Sequence, residues 1–470
     1  MLLLVCGHAL GQASPAASPT PAAAPATPAA DAPKPWRLTT ALGLPSWLDI
    51  SGEQRTRYET LDGQFRKGLN GGDQGLFFRT RLKVTAKQDN YEGTIEVLDA
   101  RQELADTGSS ITTSEVNALE VIQGYGALHF KDAMATGDKL MVQAGRLTMD
   151  IGSRRLVCRS NYSNAPQTFD GLNAIWTTED GSTLQAFAVL PLTRLPSDKQ
   201  SLLSNNVALD HEDFDVKFFG VHGKWANAFA KTDLEAYTFG LLEDDDDDNA
   251  TRNRELATMG VRMYAKPTAG SFDYDVEPMF QVGHSRLTTS ASDTRDLDHV
   301  AYAVRLVGGY MFEGAEKARV AMEFDYASGD RKPTDGKNQR FDPLYGDRRG
   351  DFGPTGIYGP FSRSNLIAFG PRFSFKPTEH TDFTIADKFY WLADASDSWA
   401  NGNLQDTTGG SGRYLGNQPE IMIGWDAIPG NLRFEAGMAY LFAGGFTQDA
   451  PSSPKEGDAS YVYLMSNFTF

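Results

Sequence analysis

The sequence predicts an all-β fold: a transmembrane antiparallel up-and-down β-barrel of about 18 strands, with short periplasmic turns and long extracellular loops. Three observations lead there. Apolar and polar residues alternate with period two from Trp47 to Phe470. The links between alternating segments are short and long in turn. The last segment ends on an aromatic residue.

The alternation comes first. One segment sets Leu48, Ile50 and Tyr58 against Asp49, Glu53, Arg55, Arg57 and Glu59. The next sets Leu76, Phe78, Leu82, Val84 and Ala86 against Arg79, Arg81, Lys83 and Lys87. Successive side chains of a strand point to opposite faces, so each segment has one apolar and one charged face. In a soluble sandwich the apolar face would turn inward. In a membrane barrel it meets lipid, and the charged face lines water.

Parity alone does not choose between these, but the connections do. Short links include Gln88-Asp89-Asn90, Glu179-Asp180-Gly181, Glu313-Gly314-Ala315 and Pro429-Gly430-Asn431. Long ones run Leu61 to Gln74, Leu147 to Thr168, Pro191 to Asp213, Glu243 to Glu255, Ser328 to Ser364 and Asp394 to Gly416. A sandwich has no reason to gather every long loop at one end. At the C-terminus, Val462, Leu464, Phe468 and Phe470 share one parity. An aromatic final residue on an amphipathic strand resembles the signature read by the barrel-assembly machinery.

Composition agrees. The mature region holds no run of roughly 18 apolar residues, the length a membrane helix needs. Aromatic residues are nevertheless plentiful, with 28 Phe, 17 Tyr and 7 Trp. The mean hydropathy of -0.39 is compatible with a barrel, because only alternate residues meet lipid. Asp and Glu outnumber Lys and Arg by 61 to 44, a net charge of -17 that argues against nucleic-acid binding. The two cysteines, Cys6 and Cys158, leave no internal disulfide once the leader is removed.

Residues 1–13 are expected to be a secretory signal, with Gly11-Gln12-Ala13 as its cleavage site. Its basic n-region is missing, which points to a truncated start, and the bulky Val5 disfavours a lipoprotein through Cys6. Residues 14–46, mostly Ala, Pro, Ser and Thr as far as Pro35, are expected to form a periplasmic linker. The barrel then spans residues 47–470.

Three segments resemble the alginate-export family of outer-membrane porins. The first is Gly145-Arg146-Leu147-Thr148-Met149-Asp150-Ile151-Gly152-Ser153-Arg154-Arg155-Leu156-Val157, followed by Asn164 and Thr168-Phe169-Asp170-Gly171. The second is Phe341-Asp342-Pro343-Leu344-Tyr345, leading to Phe352-Gly353. The third joins Asn365-Leu366-Ile367, Pro371 and Pro377 to Tyr390-Trp391-Leu392-Ala393-Asp394. Their order covers nearly the whole mature chain. Where the family is expected to carry a His after the second segment, this chain has Asp347-Arg348-Arg349. The resemblance implies an integral outer-membrane channel for an anionic polysaccharide or acidic sugar. Such a channel needs no cofactor, and a monomer is expected, in contact with outer-membrane lipid and lipopolysaccharide.

Selectivity in a wide barrel rests on charged groups at a constriction and on infolded loops. Strand parity turns Arg79, Arg81 and Lys83 toward water as a basic ladder, and places Arg55, Arg57, Arg262, Arg305, Arg372 and Arg433 inside with them. The planar guanidinium fork suits carboxylates, so clustered arginines could guide a uronate. Equally, they could pair with lumen acids such as Glu53, Glu59, Glu92, Glu96, Glu323, Asp325 and Glu435. Arg146, Arg154, Arg155 and Arg159 cluster around one long loop, and Arg348 and Arg349 lie on another. The first cluster either lines the pore or meets lipopolysaccharide from an exposed loop. Arg146 shares the lipid parity of Val142, and only the resemblance, with a bulge or a strand end, turns it inward.

The acidic run Asp244 to Asp248 reads as a solvated outer loop, with calcium a lesser option because the spacing is not an EF-hand. No metal site is expected, and no Gly-x-Ser-x-Gly elbow or phosphate loop is present. The expected function is passive export or facilitated diffusion of an acidic saccharide. The alternatives are a general or nutrient-uptake porin and, further off, an outer-membrane enzyme or an adhesion barrel.

Overall fold

A computed structural model describes residues 34–244, 250–332 and 334–470. The expected leader and the linker as far as residue 33 lie outside the described residues, as do Asp245 to Asp248 and with them the calcium question.

After a short helix α1 (Leu38–Ala41), the wall begins with β1 (Leu48–Asp62), β2 (Asp73–Gln88), β3 (Tyr91–Glu103), β4 (Asn117–Lys131) and β5 (Lys139–Leu147). It continues through β6 (Phe169–Thr177), β7 (Thr183–Thr193), a helical turn α2 (Lys199–Leu203), β8 (His211–Glu212), β9 (Val216–Phe229) and β10 (Thr232–Glu243). Next come β11 (Glu255–Ala265), β12 (Ser271–Ser285), β13 (Leu297–Met311), β14 (Arg319–Ala327), β15 (Lys337–Asn338) and α3 (Arg349–Phe352). The chain ends with β16 (Leu366–Thr378), β17 (Thr381–Trp391), β18 (Tyr414–Ile428), β19 (Leu432–Ala443), α4 (Gly445–Asp449) and β20 (Ala459–Thr469).

Of the twenty strands among the described residues, β8 and β15 are two-residue pieces within loops. The other eighteen form one antiparallel wall, each paired with its sequence neighbour. The wall closes because β1 pairs with β20, from Glu53 opposite Thr469 to Asp62 opposite Ser460. Phe470 completes that seam, exchanging backbone hydrogen bonds of 2.9 and 3.0 Å with Gly52. A closed barrel leaves no unpaired strand edge, which the hydrocarbon layer would not tolerate.

Links at the end where β1 begins and β20 ends are short, the longest being 132–138 and 312–318. The Asp89-Asn90 link turns tightly because Asp89 adopts φ +51, a conformation suited to two-residue hairpins. Every link at the opposite end is long, from 63–72 to the 38 residues of 328–365. Residues 35–46, expected in the linker, belong instead to the barrel unit. Trp36 and Asn431 exchange two 2.8 Å hydrogen bonds, and the Thr39 hydroxyl bonds Asp49 at 2.8 Å.

The outer face is apolar. Leu82, Ile95, Val121, Val261, Phe280, Val300, Ile423 and Leu464 are exposed there, and Leu76, Phe78 and Val84 share their parity on β2. Arg79, Arg81 and Lys83 point the other way, as the alternation predicts. Reversing the register would put these cations in lipid, at roughly 2–4 kcal/mol each near the midplane.

The interior departs from a simple water-filled lumen. The 148–168 and 328–365 loops fold inward and pack against the wall, bringing Met149, Ile151, Leu156 and Val157 against Phe169, Phe187, Phe218 and Phe239. A second apolar cluster joins Phe65, Phe352, Tyr358, Phe361 and Trp399 from three loops to Tyr390, Tyr461 and Tyr463 of the wall. The wall is therefore apolar on both faces near the long-loop end. Burial of the loop side chains against these inward rings holds the loops inside.

Candidate functional site

The basic ladder faces inward, but its Arg79 is not free. Arg79 donates to Glu53 at 2.9 Å and to the Asn161 and Ser163 carbonyls at 3.0 and 2.8 Å. Arg55 reaches the carbonyls of Asn161, Tyr162 and Ser163 at 2.7, 2.8 and 3.0 Å, and the Asn164 side chain at 2.6 Å. Arg57 pairs with Glu59 at 2.6 Å, donates to the Tyr162 carbonyl and lies 4.1 Å over the Tyr162 ring. Guanidinium groups offer five donors in a planar fork, enough to hold a carboxylate and a string of carbonyls together. Arg55, Arg57 and Arg79 thus form a clamp on the 148–168 loop.

A second network ties both infolded loops to the far wall. Arg155 binds Asp275 at 2.8 Å, Asp351 at 3.1 Å and Glu277. Arg305 binds Glu323 and Asp351 at 3.1 Å, and Asp325. Arg363 joins Asp351 to Asp325, Lys388 pairs with Glu323, and Arg262 bridges Asp275 and Glu235. Arg372 binds Glu323 at 2.8 Å and Glu420 at 3.5 Å. Burial opposes charge on Asp351, yet its arginine and lysine neighbours hold its carboxyl well below the usual range.

The expected loop arginines divide. Arg349 bonds Glu435 and the Tyr463 hydroxyl at 2.7 Å and stacks 3.6 Å over Tyr162. Among the described residues the Arg348 side chain meets only the Gly359 carbonyl, at 3.1 Å. Arg154 pairs with Asp150 at 3.0 Å. Two of this cluster turn inward: Arg155 is 7 % exposed, and Arg159 binds the inward Glu96 at 2.6 Å, whereas the Arg154 side chain is 39 % exposed. Arg433 pairs with Asp382 and Asp426.

Arg146 stands at the end of its strand, paired with Gly124 and Asp170. Its parity is that of Leu172, which is 57 % exposed on the outer face. At the long-loop rim it binds Asp170 and the buried Glu120, each at 3.0 Å.

Toward the short-turn side the packing loosens. Arg81, Lys83 and Arg159 face Glu53 and Glu96 in a recess of about 310 Å³. Among the described residues Lys83 has no carboxylate within 4 Å, whereas Arg81 shares Glu53 with Arg79. Arg349 and Arg372 face Glu420 in a smaller recess of about 130 Å³. Cations outnumber carboxylates by one in each, against the acidic balance of the whole chain. A third cavity, of about 300 Å³, lies wholly among the loops and is lined by Arg66, Arg194 and Arg348. Sequence reasoning passed over Arg66 and Arg194 because they stand alone in loops, where parity carries no information. It also passed over Arg363 and Lys388, which close the buried network.

A family model described as "Alginate export" matches residues 46–457. Solved structures share the fold at low identity. OpdQ of Pseudomonas aeruginosa is 12 % identical, with a TM-score of 0.55 over 90 % of this chain and 97 % of that one. OccAB3 of Acinetobacter baumannii is 12 % identical, with a TM-score of 0.56 over 90 % and 99 %. OpdK of Pseudomonas aeruginosa, solved with vanillate, is 12 % identical, with a TM-score of 0.55 over 90 % and 98 %. No curated protein matches the chain.

Proposed function

The chain belongs to the alginate-export family and forms an integral outer-membrane β-barrel channel, and from that premise we propose that its cargo is an acidic saccharide. It passes the cargo passively, as an exported anionic polysaccharide or as smaller acidic sugars. The observation that carries this reading is the basic excess of the two recesses below the loops. A carboxylated solute meets Arg81, Lys83, Arg159, Arg349 and Arg372 there. The deeply buried Arg155 and Arg305 serve the loops rather than the solute.

A second reading, uptake of small organic acids, is favoured by the size of the openings. With both loops packed, the recesses admit a small acid, and a polymer would need the loops to move. The vanillate held by OpdK is an acid of that size, in a barrel of the same fold. Phe470, closing the seam at the end of β20, supports recognition by the barrel-assembly machinery. The reading treats the barrel as a monomer.

Liposome swelling tests the cargo. Vesicles carrying the purified protein should swell faster in sodium glucuronate than in equiosmolar glucose. Equal rates, or faster entry of glucose, would reject an acidic cargo. Passage of glucuronate without passage or block by an oligo-uronate would favour the uptake reading over export.

A further inference from the structure

We propose that the cavity among the outer loops is a binding site for a carboxylated sugar, with Arg66, Arg194 and Arg348 as its anion-binding side chains. The inference rests on the acidic-saccharide reading and adds a place where the solute is held. Among the described residues no strand contributes to the cavity: its lining comes from the loops after β1, β3, β5, β7, β14 and β17. It therefore lies in the layer of long loops on the extracellular side.

Charge sets this cavity apart. The interior arginines Arg79, Arg155, Arg305, Arg363 and Arg372 each hold at least one carboxylate. The three cavity arginines hold neutral oxygens with their side chains. Arg66 meets the Gln64 side chain at 3.4 Å and the Tyr358 carbonyl. Arg194 meets the Ala165 carbonyl at 3.1 Å, and Arg348 the Gly359 carbonyl at 3.1 Å. Among the described residues none of the three has a carboxylate within 4 Å, so each keeps guanidinium donors in reserve. Burial, and then the charge of Arg348, pull Arg66 down to about 10. It stays protonated at neutral pH, and the cost of holding like charges together would be relieved by an anion.

Two acids share the lining with the three arginines, and both are committed to hydrogen bonds. Glu115 accepts from the Thr112 backbone and hydroxyl at 2.9 and 2.8 Å, and burial pushes its carboxyl up. Asp347 accepts from the backbone nitrogens of Arg348 and Arg349 at 2.9 and 3.3 Å. Around the arginines, Ser114, Ser163, Thr355 and Asn401 present hydroxyl and amide groups of the kind that bind sugar hydroxyls. A volume of about 300 Å³ is at the lower end for small-molecule sites. It suits one or two sugar rings, or the end of a chain, rather than a polymer threaded through.

The test is calorimetric titration of the folded full chain in detergent micelles with sodium glucuronate, glucose and inorganic phosphate. Heat-modifiable gel mobility reports that each variant has folded. Glucuronate should bind, and glucose should not. Arg66→Gln, Arg194→Gln and Arg348→Gln should each weaken glucuronate by about tenfold or more, as loss of a charge-assisted hydrogen bond does. Arg194→Lys should retain part of the affinity. Unchanged affinity in all three Gln variants would overturn the site, as would phosphate binding as tightly as glucuronate. If glucuronate fails to bind while liposomes still admit it faster than glucose, the site is wrong and the acidic cargo stands. If glucose enters as fast as glucuronate, the reading beneath the site fails too. Should a Gln variant not fold, the wild-type contrast between glucuronate and glucose decides.

Discussion

Arg79 shows how a residue can face the lumen and still not act on a solute. Its parity was legible in the sequence, and so in part was its partner, since Glu53 lies across the β1–β2 register from Arg81. What could not be read was the path of the 148–168 loop, whose carbonyls occupy the rest of the Arg79 fork. A loop's position depends on packing from distant segments, and no local period encodes it. The consequence is testable. Arg55→Gln with Arg79→Gln should loosen the loop and raise single-channel conductance, with the barrel still folded. A conductance unchanged or lowered would show that the clamp does not gate the lumen. Asp351→Asn bears on the opposite side. Removing one partner of a buried charged network costs about 3–5 kcal/mol. Hydrogen exchange across residues 343–360 should accelerate by orders of magnitude, and unaltered exchange there would contradict the network's role.

The elements divide by how their faces are used. Strands β1 and β2 alternate cleanly, because one face meets lipid and the other meets charge, and their sequence announces them. Strands β7, β9 and β10 turn Phe187, Phe218 and Phe239 inward under the loops, so both faces are apolar and the alternation blurs. The loops' lengths were legible, but their infolding was not. Two buried loop carboxyls make their packing depend on pH. Burial raises Asp210 to about 6, and raises Asp330 to about 6 with Asp397 adding to it. Each carboxyl favours the packed loop while protonated, since its unfolded value is near 3.9. That stabilisation is complete below about pH 4 and is lost as pH rises through about 6. The 194–215 and 328–365 loops should therefore exchange more slowly at pH 5 than at pH 7.5, after correction for intrinsic rates. Closed dwells should also be longer at pH 5. The reverse order at both loops would remove these carboxyls as the cause.

At the scale of the whole molecule, the links carried the prediction. Short and long connections in strict turn require an even up-and-down wall, and eighteen strands close through β1 and β20. Charge was less legible at this scale. The chain is acidic overall, yet each recess on the expected solute path carries one more cation than carboxylate. Only the fold reveals which acids are spent on loops and rims. The measurement that bears most directly on this is the zero-current potential of the purified channel in a planar bilayer under a KCl gradient. The account predicts anion preference, reduced toward neutrality by Arg81→Gln with Lys83→Gln. A cation-selective wild type, or a preference unmoved by that pair of substitutions, would contradict it.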